Sequence, residues 1–200
     1  MAKTFSFGGI QSGQIFQLGI VVPDIDEAVK FYAEALGIGP FSVSRGFKAP
    51  DGSYRGSAEM PELTLAHTWG GRFFVELIQQ HCDTPSVYKE FIDRHGYGLH
   101  HFGFAVDPAE FDKTQEHYYS LGFEDIFTDN LPGGTRVRYM GPKGEAALDK
   151  LRNETGVSYY ECVEMFPAEE SFFTDIYNAA MNWDGKTLFH KGSAEGSFLA

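Results

Sequence analysis

Cysteine is scarce: Cys82 and Cys162 are the two in 200 residues, in no metal-type spacing. They support no disulfide framework, and two free thiols are expected. Long apolar runs are missing as well. No stretch approaches the roughly 18 apolar residues of a membrane span, and Met1 to Gly9 lacks the apolar run of a secretory signal. A globular, cytoplasmic protein without a membrane partner is expected. Positive charge is sparse too, with 16 Lys and Arg against 28 Asp and Glu, a formal net charge of -12 and no Lys/Arg cluster. Such a chain repels phosphate backbones, which argues against nucleic acid as a partner.

Apolar and aromatic residues, by contrast, are plentiful. At 42% hydrophobic the chain can bury a proper core, and its 19 Phe and 10 Tyr are more than a core usually needs. The surplus reads either as a large aromatic core or as the lining of a ligand cavity.

The chain repeats itself. Ile15 to Val22 is short, apolar and β-branched, and Pro23-Asp24-Ile25-Asp26 follows as a turn with a helix N-cap. A helix from about Asp26 to Leu36 carries Ala28, Val29, Phe31, Tyr32 and Leu36 at helical spacing and stops at Gly37. Leu99 to Val106 shows the same strand with glycine at the matching place, again followed by an Asp-Pro turn and a helix ending at Gly122. Gly19 and Gly103 are 84 residues apart and Gly37 and Gly122 are 85 apart, so the register survives across strand and helix.

Three further strands are expected in each half: about Phe41 to Phe47, Leu63 to Trp69 and Phe73 to Gln79, then Asp125 to Thr128, Arg136 to Met140 and Ser158 to Met165. Gly- and Pro-rich turns separate them. The expected fold class is therefore α+β, two tandem βαβββ modules (14-80 and 98-166) forming a cup-shaped mixed sheet as one domain. A helical insertion over Glu145 to Gly156 and a C-terminal helical extension (167-200, with a helix from Pro167 to Trp183) lie outside the repeat.

Strand alternation puts Gln17, Gly19 and Val21 on one face and His101, Gly103 and Ala105 on the matching face of the repeat. On the last strand of each half, Glu76 and Glu161 sit among apolar neighbours, where an uncompensated carboxylate is costly. The polar pairs share one spacing, 59 residues from Gln17 to Glu76 and 60 from His101 to Glu161. Brought together by a pseudo-two-fold, the four supply three oxygens and one imidazole nitrogen, a set suited to a hard or borderline divalent ion. Singly each has a duller account, an edge amide, half-exposed carboxylates or a satisfied core histidine; the repeat favours the joint one. Of the other histidines, His67 is expected in the cup or outside it with equal weight. His100 is expected to face away from His101. His117 falls in a helix, and His81, His95 and His190 on solvated loops. Arg138 and Tyr139 are secondary candidates for substrate contact.

These residues resemble a known family. Phe16 to Gly37 is similar to the opening of vicinal oxygen chelate proteins, the glyoxalase, epimerase and extradiol dioxygenase superfamily. Leu99 to Asp107 resembles the second module of methylmalonyl-CoA epimerases, and Phe74 to Leu77 with Tyr159 to Cys162 the ligand-bearing strands. The resemblance covers about residues 14 to 166. It implies a glyoxalase-like fold with one divalent metal per chain at Gln17, Glu76, His101 and Glu161. Zinc is the first choice, with nickel, cobalt, manganese or iron as alternatives. The implied activity is that of an isomerase, epimerase or lyase in which Glu161 or Glu76 abstracts a proton next to a carbonyl, Glu161 slightly preferred.

Departures bound the substrate. Val21 and Tyr97 stand where glutathione-dependent glyoxalases carry Arg, and Gln17 stands where epimerases usually have His. Gln17 with Glu76 also does not reproduce the two-His, one-Glu triad of ring-cleaving dioxygenases. Arg45, Lys48, Arg55, Arg136 and Arg138, the candidates for anchoring coenzyme A phosphates, are scattered. The alternatives are a metal-free drug-binding protein of the bleomycin-resistance kind and an extradiol-type dioxygenase. A small-molecule substrate is the expected partner, with a homodimer left open.

Overall fold

A computed structural model describes residues 13–131, 135–157, 159–164 and 167–190, with the backbone alone over 160–164 and 167–171. In chain order the elements are β1 (Ile15–Val21), α1 (Ile25–Leu36), β2 (Ser42–Phe47), β3 (Ser53–Tyr54), β4 (Leu63–Trp69), β5 (Phe74–Gln80), α2 (Val87–His95), β6 (Gly98–Val106), α3 (Pro108–Ser120), β7 (Phe123–Asn130), β8 (Arg136–Pro142), α4 (Glu145–Thr155), β9 (Tyr159–Glu164) and α5 (Pro167–Met181).

The helix boundaries follow local chemistry. Asp24 caps α1 by accepting from the amide of Glu27, and Gly37 ends it with φ at 67°, a left-handed value that costs glycine little. Asp107 caps α3 through the Ala109 amide, with Pro108 in the first turn, where no amide donor is needed.

The strands form one sheet in the order β2-β4-β5-β1-β6-β9-β8-β7-β3. Each half contributes the same run, and the halves meet where β1 and β6 pair antiparallel. Within each half the first strand lies parallel to the last, Gly19 opposite Glu76 and Gly103 opposite Glu161. Repeated spacing has thus become repeated register. Helix α1 covers the first half's outer face, burying Ile25 and Val29 against Phe41, Val43, Ala66 and Leu77. Helix α3 covers the second, with Phe111 against Val106 and Met140. Removing each large apolar side chain from water contributes roughly 1.5–3 kcal/mol.

Two elements are absent from the sequence reading. Strand β3 leaves the first half between β2 and β4 yet pairs with β7, at the opposite end of the sheet, through Ser53 with Thr128 and Tyr54 with Phe127. It forms a strap across the cup. Arg55 continues it by donating its amide to Ile126 at 2.9 Å, with φ at 48°, an uncommon value for a residue with a side chain. The other element is α2, capped by Ser86 and buried through Val87, Tyr88 and Phe91 in the cup's apolar interior. Helix α5, outside the repeat, packs on β4, with Phe173 and Ile176 against Phe16, Trp69 and Phe74. His95, expected on a loop, ends α2. No described helix is long and apolar enough to cross a membrane. Cys82 is a free thiol, while the Cys162 side chain and residues 191–200 lie outside the described part.

Candidate metal centre

Gln17, Glu76 and His101 come together beside the β1–β6 junction, with Gln17 4%, Glu76 6% and His101 0% exposed. The Gln17 amide nitrogen lies 2.8 Å from Glu76 Oε2 and 3.3 Å from His101 Nε2, and His101 Nε2 lies 3.4 Å from Glu76 Oε2. The three atoms form a nearly equilateral triangle. Metal bonds of about 2.1 Å at right angles put neighbouring donors about 3.0 Å apart, so the triangle has the size of one face of an octahedron. Rotating the Gln17 amide by half a turn presents its oxygen in place of nitrogen. The donor set therefore fits a divalent ion.

Glycine makes room for this. Across the β1–β6 ladder His101 faces Gly19, and a Cβ built on Gly19 would fall 1.9 Å from His101 Cε1, inside the imidazole. The volume that a side chain at position 19 would take holds the histidine ring.

Two further histidines complete the arrangement. His67, across β4–β5 from Glu76, points inward, is 1% exposed and brings Nε2 to 3.0 Å from Glu76 Oε1, donating to the carboxylate. Its ring stacks on Phe74 at 5.3 Å, and Phe172 of α5 packs edge-on against it at 5.7 Å. Burial would raise the Glu76 pKa, but hydrogen bonds from His101 and His67 outweigh it and bring the pKa down to about 2. A carboxylate so deep keeps its charge because cationic or N–H groups meet both its oxygens.

The expectation that His100 turns away from His101 is corrected. Gly19 pairs with His101 and Ile20 with Leu99, so His100 is the extra residue of a β-bulge. A bulge breaks the alternation on which the expectation rested. Both rings reach Tyr139, and the two Nδ1 atoms are 2.9 Å apart. His100 Nε2 lies 3.2 Å from the Val87 carbonyl, which only accepts, so that nitrogen carries hydrogen. Burial, then the neighbouring His101, push the His100 pKa well below its usual value, so the ring is neutral and its Nδ1 accepts. His101 therefore donates from Nδ1, and its Nε2 is turned toward Glu76 Oε2 and the Gln17 amide.

The centre opens on a cleft enclosing about 640 Å³, solvent-open space included, with Glu76 in its wall and Phe47, Leu63, Leu65, Phe127, Val137 and Tyr139 around it. The strap closes one side. Glu90 Oε2 of α2 accepts from the hydroxyls of Tyr54 at 2.8 Å and Tyr159 at 3.1 Å, and the Arg55 guanidinium donates to both its oxygens. Burial, strengthened by Glu90, pushes the Tyr159 hydroxyl far above its usual range.

The sequence profile described as the Glyoxalase/Bleomycin resistance protein/Dioxygenase superfamily matches residues 16–139. The chain belongs to this superfamily. A hypothetical protein of Bacillus halodurans C-125 superposes with a TM-score of 0.50 at 21% identity, over 76% of this chain and 94% of the other. Methylmalonyl-CoA epimerase of Mycobacterium tuberculosis superposes with a TM-score of 0.51 at 18% identity, over 80% and 93%. At these identities the likeness is one of fold. No curated protein matches the sequence.

Within the glyoxalase-like fold, three of the four proposed ligands meet. For Glu161 the backbone register opposite Gly103 and Tyr139 is given, and its side chain lies outside the described part. Among the described residues no group of three His, Cys, Asp or Glu side chains has a metal-type arrangement, since the third member of the triangle is an amide and His67 serves the far oxygen of Glu76. Of the secondary candidates, Tyr139 lines the cleft while Arg138 is turned to the Asp129 carbonyl and Asn130 Oδ1. Sequence reasoning left His67 undecided; its register opposite Glu76, visible once β4 and β5 are paired as a hairpin, was the signal available.

Proposed function

We propose that the chain is a metal-dependent enzyme that moves a proton at a carbon beside a carbonyl, as an isomerase, epimerase or lyase. The observation supporting this most is the meeting of the Gln17, Glu76 and His101 donor atoms in the wall of an otherwise largely apolar cleft. These three residues would hold one divalent ion, zinc before nickel, cobalt, manganese or iron. Glu161 is proposed as fourth ligand, because its backbone faces Gly103 as that of Glu76 faces Gly19. When bound, the ion supplies positive charge beside the substrate oxygen on which negative charge develops.

The residues do the rest. Glu161, or Glu76 in its stead, takes the proton from carbon while the C–H electron pair passes toward the carbonyl as an enolate. Returning the proton to the opposite face gives the epimer; where the α-carbon bears a hydroxyl, delivering the proton to the former carbonyl carbon while that hydroxyl gives its proton to the old carbonyl oxygen and becomes the new carbonyl gives the isomer. His67 holds Oε1 of Glu76 and so keeps Oε2 toward His101. Apolar walls keep water from the enolate.

The ring-lined cleft also supports a second reading, a protein that sequesters a small molecule without metal. Metal analysis of protein purified without a histidine tag, followed by solvent deuterium incorporation into ketones and thioesters, separates the two. Well under one ion per chain, with no uptake from zinc, nickel, cobalt or manganese, leaves the binding reading. For the base, Glu161→Gln keeps an oxygen donor and removes the basic lone pair, so metal should stay while exchange falls about 10²- to 10⁴-fold. A loaded variant exchanging at the wild-type rate moves the role to Glu76.

A further inference from the structure

Charge inside the cleft is all of one sign. Its walls are aromatic and aliphatic, with Phe47, Tyr54, Leu65, Phe127 and Val137 among them, and its ionisable carboxyls are those of Glu76 and Asp129. No Lys, Arg or His is among the described lining residues. The arginines that come nearest are engaged elsewhere. Arg55 on the strap is bound by both oxygens of Glu90, and Arg138 beside Asp129 donates to the Asp129 and Val137 carbonyls and to Asn130 Oδ1. Elsewhere in the first half, Arg45 is paired with Asp26 and Lys48 lies 4.0 Å from Glu62.

Away from the Glu76 end, where the ion would sit, a negative group entering such a space would lose its hydration, gain no cation from the walls and face the Asp129 carboxyl, in a chain whose net charge is already -12. An uncharged ring loses little hydration and gains the aromatic walls.

We infer that this site takes an uncharged, ring-bearing carbonyl compound, and excludes carboxylates and phosphate-bearing thioesters from its walls. The inference rests on the proposed proton-transfer reading for the carbonyl, and on the cleft alone for the ring and the absence of charge.

The test uses the full chain, zinc-loaded and metal-stripped, with four probes: 2-hydroxyacetophenone, its 4-carboxylate derivative, hydroxyacetone and propionyl-CoA. Binding is read by calorimetry and saturation-transfer NMR, and turnover by deuterium exchange at the probes' α-carbons. In the metal-stripped protein 2-hydroxyacetophenone should bind at least tenfold tighter than its carboxylate derivative and than hydroxyacetone, with no binding of propionyl-CoA. Met60→Lys, at the partly exposed rim, should narrow or reverse the preference over the carboxylate derivative. Equal affinity for the neutral and anionic ring compounds, tight propionyl-CoA binding, or no binding of the neutral ring compound would each overturn the inference. Exchange of propionyl-CoA but not of the ketone would leave proton transfer standing and sink the substrate class. Tight ketone binding by zinc-loaded protein without exchange would do the opposite.

Discussion

Gly19 and His101 compete for one volume: the Cβ that any other residue would carry at position 19 falls 1.9 Å from Cε1 of the His101 ring. The glycine is kept by its neighbour rather than by its own backbone. Gly19→Ala must therefore push His101 off the Gln17–Glu76 pair. Overpacking of this kind typically costs about 1–3 kcal/mol, read by urea unfolding, and zinc affinity should fall with it. A variant of wild-type stability that binds zinc normally would show that the ring has somewhere else to go.

His100 sets the tautomer of His101 through the contact between their Nδ1 atoms, 2.9 Å apart. His100→Phe keeps a flat ring among Tyr88, Phe91 and Tyr159 and removes the acceptor. Nitrogen NMR of the metal-free wild type should show hydrogen on His101 Nδ1, and the variant should lose that preference while zinc affinity drops about 10- to 100-fold, the usual effect of removing a ligand's partner. An unchanged His101 spectrum would end the argument.

Acid should act through Glu76. Its pKa is about 2 in the folded protein against an ordinary 4.5, so its contribution is fully present above about pH 4.5 and is lost as pH falls toward 2. A displacement of this size corresponds to about 3 kcal/mol. Metal-free protein should thus unfold at lower urea concentration at pH 3 than at pH 6, and Glu76→Gln should flatten that part of the profile. Parallel profiles for the two proteins would remove Glu76 from the account.

The strap is held by Glu90. Glu90→Ala leaves Tyr54, Tyr159 and Arg55 without their common acceptor and should cost about 1–3 kcal/mol for stranded polar groups. Exchange of the Arg55 amide, bonded to Ile126 in β7, should quicken by more than the global loss of stability accounts for. Uniform quickening across the sheet would mean that the strap has no stability of its own to lose.

The sequence by itself determined the repeat, the βαβββ order of each half and the strand positions of Gln17, Glu76 and His101, because strand alternation, capping residues and turn glycines act locally and leave their spacing in the chain. Even the parallel match of Gly19 with Glu76 and Gly103 with Glu161 was implicit in two nearly equal separations. What only the tertiary structure decided came from contacts between distant segments. The bulge that turns His100 toward His101 depends on how β6 meets β1. The inward turn of His67 depends on Glu76 waiting across a ladder, and the strap's crossing depends on β7, at the opposite end of the sheet. Such pairings reward residues far apart in sequence, and no local preference records which partner will be met.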